Sequence, residues 1–208
     1  MARNGEATKT RILDVAQDLI LDYGFGSTSV DKVIEAAGIT KGAFFYHFKT
    51  KSDLGQALVD RYAAMDRELY FATAEKAERL ARDPYQQLLL FVGLFEEQAR
   101  ELNEPHPGCL FVSYCYENQL YEEQTKEVVI KAMLFWRAQL GARIRAVMAM
   151  RKPRLEIDVD SLADMFTVVL EGAFMMGKSL HETRLLADQM HHYRNYLELL
   201  FGDDLAAK

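Results

Sequence analysis

Ala36-Ala37-Gly38-Ile39-Thr40-Lys41-Gly42-Ala43-Phe44-Phe45-Tyr46-His47-Phe48-Lys49-Thr50-Lys51 is the stretch on which the reading of this chain turns. Gly38 supplies the left-handed residue that closes a helix ending at Ala37. Ile39 then turns inward, and Thr40 is a good N-cap for a short second helix beginning at Lys41. Helix, tight glycine turn and helix make the layout of a helix-turn-helix. Upstream, Val30, Val33, Ile34 and Ala37 recur at helical spacing, with Thr28 or Ser29 as N-cap. Downstream, Phe44 and Phe48 stand one turn apart and plug the same core. The other face then carries Lys41, Gly42, Ala43, Phe45 and His47. No acid occurs between Glu35 and Asp53, whereas Lys41, Lys49 and Lys51 are all basic. A short helix with a small-residue N-terminus, exposed aromatics and flanking lysines suits a phosphate-lined groove.

Working outward, Ile12, Leu13, Ala16, Leu19, Ile20 and Tyr23 form one apolar stripe of a bracing helix that stops at Gly24. Thr50-Lys51-Ser52-Asp53 reads as a capping box in its acidic variant. The helix it starts passes through Leu54, Leu58, Tyr62, Met65, Leu69 and Phe71 to about Arg82, so head and body share one rod. Asp83-Pro84 breaks the rod and opens another helix. Asn103 to Gly108 is the clearest loop. Cys109 to Tyr116 is compact and apolar, and with no partner strand it reads as a buried helix. Further helices span about 122–150, 160–180 and 183–201. The expected fold class is all-α: a three-helix head over residues 1–52 and a larger helical body over 53–208.

The chain of 208 residues carries a net charge of -6, which at first argues against nucleic acid. Residues 1–55, however, hold seven Lys and Arg against seven Asp and Glu, so the acid excess lies in 56–208. A neutral head with a local lysine cluster on an acidic body keeps one end attractive to DNA. The apolar runs are far short of a membrane span, and the N-terminus leads into a polar helix rather than a signal core. A cytoplasmic location with no membrane partner is therefore expected.

Two cysteines, Cys109 and Cys115, are too few for a disulfide framework. Six helical residues span roughly 9 Å of axis, beyond the reach of a disulfide. His106 and Cys109 have a metal-like spacing but no second pair to complete a tetrahedral site. His191 and His192 are adjacent and diverge on a helix. No enzyme activity, metal or cofactor is expected. Cys109 follows Pro107-Gly108 and falls in the first turn of its helix, where unpaired N–H groups favour a thiolate. The apolar Leu110-Phe111-Val112 that follows pulls the other way, so Cys109 stands open between thiol sensor and core; Cys115 reads as inert.

Gly38 to Leu54, reading Gly-Ile-Thr-Lys-Gly-Ala-Phe-Phe-Tyr-His-Phe-Lys-Thr-Lys-Ser-Asp-Leu, closely resembles the signature of TetR-family transcriptional regulators. Tyr23-Gly24-Phe25 and the Thr28-Ser29-Val30 helix start fit the same family. The resemblance implies a homodimer that binds an inverted-repeat operator in double-stranded DNA and is a repressor released by a small, largely apolar effector. Carried over residue by residue, the DNA contacts are Ser29, Lys41, Gly42, Ala43, Phe45, Tyr46, His47 and Lys51, with Ser29 and Lys51 on phosphate. Phe45 departs from a frequent tyrosine, and Asp31 puts an acid where relatives use a basic or neutral contact.

In the body, an effector pocket is expected among Tyr62, Phe91, Phe95, Phe111, Tyr114, Phe135, Trp136, Phe166, Phe174 and Met175. The helix over 160–180 is apolar on several sides, which suggests a subunit interface. The resemblance implies dimerisation through the last two helices, here with Phe166, Leu170, Phe174 and Gly177 in the interface. Gly108-Cys109-Leu110 also resembles a subset of the family that answers electrophiles and acrylate-like compounds, although Phe111 to Tyr114 depart from it. Two alternatives are a thiol-based electrophile or redox sensor of the same fold using Cys109, and a helical module that does not bind DNA. The latter would lack a phosphate-dependent salt slope.

Overall fold

A computed structural model describes residues 2–203, with side chains from residue 5 onward. The elements in order are α1 (Ala2–Tyr23), α2 (Val30–Ala37), α3 (Lys41–His47), α4 (Lys51–Leu80), α5 (Pro84–Arg100), α6 (Leu110–Tyr116), a 3-10 turn (Asn118–Leu120), α7 (Glu123–Met148), α8 (Val159–Leu180) and α9 (Leu185–Phe201). No strand occurs among the described residues, as an all-α reading requires. Cys109–Tyr116 is helical from Leu110, in keeping with the sequence.

The chain packs as two compact units. The first comprises residues up to Asp66 together with Pro107–Ala132, and the second comprises Arg67–His106 with the residues from Met133 onward. α4 and α7 each contribute to both. These packing units cut the chain elsewhere than after residue 52, because α6 and the first part of α7 pack with the three-helix head.

In the first unit, Ile12, Leu13, Ala16 and Ile20 of α1 meet Val33, Ala37, Phe44 and Phe48, all buried. Tyr23, expected on the α1 stripe, is instead exposed. It lies one turn beyond Ile20, where α1 outruns the core, and Lys32 Nζ sits 5.9 Å from its ring centre. α4 begins at the expected capping box. Thr50 N–H donates to Asp53 Oδ2 at 2.9 Å, and Asp53 N–H donates to Thr50 Oγ1 at 3.0 Å. Arg61 of α4 reaches back to α1, donating to Asp14 at 2.6 Å and Gln17 at 3.1 Å.

The second unit is built around aromatic rings. Phe91, Phe95, Trp136, Phe166 and Tyr193 are buried and share faces or edges, with Trp136 stacked on Phe166 at 5.5 Å. Tyr193 is deep in this core, and its hydroxyl donates to Leu162 O at 3.1 Å, satisfying the one polar atom it brings. Glu96 is a buried carboxylate. Burial pushes its pKa up, but the hydrogen bond from Arg100 and the charges of Arg194 and His191 outweigh this and hold it below the usual range.

Phe166 is fully buried and touches the rings of Phe91, Phe95, Trp136 and Tyr193, so truncating it leaves a cavity among close-packed rings. Phe166→Ala is expected to cost roughly 3–5 kcal/mol. Urea unfolding followed by the fluorescence of Trp136, the single tryptophan, measures this.

Candidate nucleic-acid interface

α2 is delimited by two side-chain and backbone caps. Ser29 is its N-cap, accepting from Lys32 N–H at 3.2 Å, while Thr28 is buried and donates its hydroxyl to Gly24 O at 2.8 Å. At the other end Gly38 adopts φ 61°, ψ 39°. Its N–H bonds to Glu35 O at 3.1 Å and Ile39 N–H bonds to Ile34 O at 3.2 Å, closing the helix in a left-handed turn. Thr40 then accepts from Ala43 N–H at 3.2 Å and starts α3.

A helix as short as α3 does not hold itself together in water. It is anchored by Phe44, which is fully buried, and by Phe48, whose ring lies 5.9 Å from that of Phe44. The opposite side is bare: Lys41, Gly42, Phe45 and Tyr46 are exposed, Ala43 and His47 half-buried. Tyr46 is 76% exposed, a large exposure for an aromatic ring. Of the eight residues expected to touch DNA, these six share one short helix. Ser29, at the start of α2, is exposed as well.

Lys51 and Asp31 have partners that the sequence did not disclose. Lys51 Nζ donates to the carbonyls of Phe25 and Gly26 and lies 4.3 Å from the centre of the Phe25 ring. Burial draws its pKa below the ordinary lysine value, and Glu117 partly restores it. Its ammonium is directed into the α1–α2 turn. Asp31, in the first turn of α2, forms an exposed pair with Lys41 at 3.4 Å, which is worth little in water.

The α1–α2 turn is held from a third side. Glu117, the C-cap of α6, accepts from Phe25 N–H through Oε2 and from Gly26 N–H through Oε1, the latter at 3.0 Å. The Phe25 ring stacks on Tyr121 at 4.2 Å. No local pattern in the sequence marks Glu117, because its partners lie more than ninety residues upstream.

Of the ten residues expected to line an effector pocket, Tyr62, Phe111 and Tyr114 lie in the first unit and the other seven in the second. Phe111 and Tyr114 are buried in the first unit, and Tyr62 meets Phe111 edge to face at 4.8 Å. Phe91, Phe95, Trp136 and Phe166 fill the second unit's core by packing on one another, with Phe135 against the edge of Tyr70. Phe174 stacks on His106 at 3.8 Å, and Met175 is exposed. An open groove in the second unit is lined by other residues, among them Leu80, Leu89, Leu90, Leu94, Arg100 and Arg194.

α8 carries two apolar faces. Phe166, Leu170, Phe174 and Gly177, expected at a subunit interface, recur on one side. Phe166 and Gly177 are buried there, and Leu170 and Phe174 pack against the core of the protomer. Met165, Val168, Met175 and Met176 recur on the other side and are exposed. Gly172 lies in this second stripe, with open space where a Cβ would stand.

Cys109 is the N-cap of α6 and is buried, whereas Cys115 is exposed. Burial lowers the pKa of His106, which stays neutral at pH 7 and supplies no charge to a thiolate. Among the described residues, no group of three or more His, Cys, Asp and Glu converges as a metal ion would need. No helix among them is long and apolar enough to cross a membrane.

A short helix anchored from behind by Phe44, bare in front and preceded by a glycine turn, is the reading element of a helix-turn-helix DNA-binding protein. The chain belongs to the TetR family of bacterial transcriptional regulators. Residues 12–58 match the bacterial regulatory proteins of the tetR family, and residues 84–193 match the tetracyclin repressor-like C-terminal domain. It is a DNA-binding transcriptional regulator and not an enzyme. Transcriptional regulator AcuR of Cereibacter sphaeroides is 26% identical over 84% of this chain and 76% of its own length. HTH-type transcriptional regulator AcrR of Shigella flexneri is 46% identical, over 25% of this chain and 24% of its own. A TetR-family regulator from Chloroflexus aurantiacus has the same fold, with a TM-score of 0.78 and 23% identity over 96% of this chain and 98% of that one.

Because the Lys51 ammonium is bonded to the α1–α2 turn within the head, Lys51→Met is expected to lower the melting temperature and to weaken DNA binding by loosening that turn rather than by losing a phosphate contact. The salt slope of binding should change by well under one ion; a reduction of about one would place the ammonium on phosphate. In the folded protein, iodoacetamide is expected to modify Cys115 quickly and Cys109 only on unfolding. Peptide mass spectrometry over a time course distinguishes them, and rapid alkylation of Cys109 would revive a sensing role.

Proposed function

We propose that this regulator is a homodimeric repressor that binds an inverted-repeat operator and leaves it when a small, largely apolar effector binds the helical body. The observation that carries the DNA half of this reading is the bare face of α3. Lys41, Ala43, Phe45 and His47 would meet base edges and sugars in the major groove, with Gly42 and Tyr46 beside them. Ser29 accepts a hydrogen bond from Lys32 and keeps its hydroxyl proton for a phosphate oxygen. The regulator works in the cytoplasm, where its DNA is.

The exposed stripe of α8 supports the dimer. Met165, Val168, Met175 and Met176 form a continuous apolar strip around Gly172, and Leu199 of α9 is exposed as well. An apolar strip of this extent on a chain that already has a full core calls for a partner, and a glycine in it permits close approach of two helices. Two such chains would present two α3 helices to one duplex. The effector reading draws support from the aromatic wealth of the body and from the groove beside Leu89 and Leu90, where a leucine wall is rimmed by charged side chains such as Glu97, Arg100 and Arg194.

Fragments enriched from a random DNA pool by the purified protein are expected to contain an inverted repeat, its half-sites about one helical turn or more apart. A single asymmetric half-site would count against the dimer. Substituting Lys41 or Ala43 should change which fragments are enriched, not only how tightly they bind. Val168→Glu is expected to give monomers in sedimentation and to weaken operator binding. A dimer that persists moves the interface off α8.

A further inference from the structure

We propose that Glu117 is a positioning residue for DNA binding. Its carboxylate fixes the α1–α2 turn and through it the start of α2, so the end of α6 helps set the affinity of the head for its operator. The proposal rests on the DNA-binding reading above and concerns a residue outside the helix-turn-helix.

The turn is shaped to take a carboxylate. With Gly24 at φ 80°, the adjacent N–H groups of Phe25 and Gly26 both reach one carboxylate, a cradle of the kind that holds anions. Glu117 places one oxygen on each. A Cβ at Gly24 would stand 3.0 Å from Oε2, and one at Gly26 would stand 2.9 Å from Oε1. Glycine at both positions is what lets the carboxylate in. From the opposite side, Lys51 donates to the carbonyls of the same two residues, Phe25 and Gly26. Donors and acceptors of one turn are thus satisfied by an acid and a base from different helices. The Phe25 ring is held too, stacked on Tyr121 and with Gly55 clearing the space beside it.

What the turn holds in place is the reading head. Phe25 O also accepts from Thr28 N–H at 3.2 Å, and Gly24 O accepts from the Thr28 hydroxyl at 2.8 Å. Ser29 follows directly and caps α2. A shift of residues 24–26 therefore shifts the α2 N-terminus, and with it the helix against which α3 is set. The chemistry is specific to a carboxylate. Two neighbouring donors need two acceptors, and glutamine offers one acceptor and one donor, so one N–H would face an NH2 group.

Glu117→Gln and Gly26→Ala test this in the full-length protein, the second by crowding the carboxylate while keeping its charge. The DNA is a fragment enriched by the wild type, titrated between about 50 and 200 mM salt. Affinities are compared at a temperature where each variant retains the wild-type far-ultraviolet circular dichroism. Amide exchange at Phe25 and Gly26 is followed alongside.

The expected result is about tenfold weaker binding in both variants. The salt slope should be unchanged, because no phosphate contact is lost, and exchange at the two amides should be faster. If Glu117→Gln does not fold, Gly26→Ala gives the same answer by itself. Wild-type affinity or tighter binding with accelerated exchange overturns the proposal, since the clamp would then only brace a local turn. A changed salt slope also overturns it, since Glu117 would be acting through its charge on DNA. Should the wild type enrich no fragment at all, the DNA-binding reading falls and takes the proposal with it, whatever the exchange data show.

Discussion

Burial of Phe44 is the contact on which the head depends. A seven-residue helix has too few internal hydrogen bonds to offset the cost of ordering its backbone. α3 exists because one ring at its centre is wholly buried and Phe48 closes its end. That single anchor also fixes which way the helix faces. With Phe44 inward, Lys41, Gly42, Phe45 and Tyr46 are left exposed and available to a partner. Stability and function are divided between the two sides of the same short helix, and neither side can be changed in register without losing the other.

The turn that precedes α2 shows how a small polar cluster can organise a larger piece. The N–H groups of Phe25 and Gly26 and the carbonyl of Gly26 have no partner in α1 or in the turn itself, and an unpaired backbone group costs free energy as it leaves water. Glu117 and Lys51 satisfy them from α6 and α4, and Tyr121 covers Phe25. These polar bonds and the Phe25–Tyr121 stack add to the burial of Leu110, Phe111 and Tyr114 in tying α6 and the start of α7 to the first packing unit. The second unit is held differently. Its core contains a set of aromatic rings packed on one another by face and edge, and its buried Glu96 is kept ionised by Arg100 and Arg194.

Much of the helical framework was legible in the sequence. Gly38, Thr40 and the Thr50–Asp53 box all act within four residues of themselves, and local patterns are what a sequence displays directly. The family signature at Gly38 to Leu54 has the same origin, since the glycine turn and its caps leave few other choices. The outward face of α3 was readable for that reason. Six of the eight residues carried over as DNA contacts lie on this helix, and Ser29 is exposed at the start of α2.

Other assignments depended on what covers each face. α8 is apolar on most of its circumference, so its periodicity did not say which side meets the core. Only packing showed that Phe166, Leu170, Phe174 and Gly177 turn inward while Met165, Val168, Met175 and Met176 stay outside. The aromatic residues of the body were visible as a class, but whether rings line a space or fill one is decided by their mutual distances. Lys51 reads as a phosphate ligand by position, yet its ammonium finds the carbonyls of Phe25 and Gly26, twenty-six and twenty-five residues upstream. Glu117 had no local signal at all. The sequence by itself determined the helices, their caps and the reading head, because these obey short-range rules. The tertiary structure alone decided which faces remain open and which distant charges meet, because burial and ion pairing are properties of the folded neighbourhood rather than of any one segment.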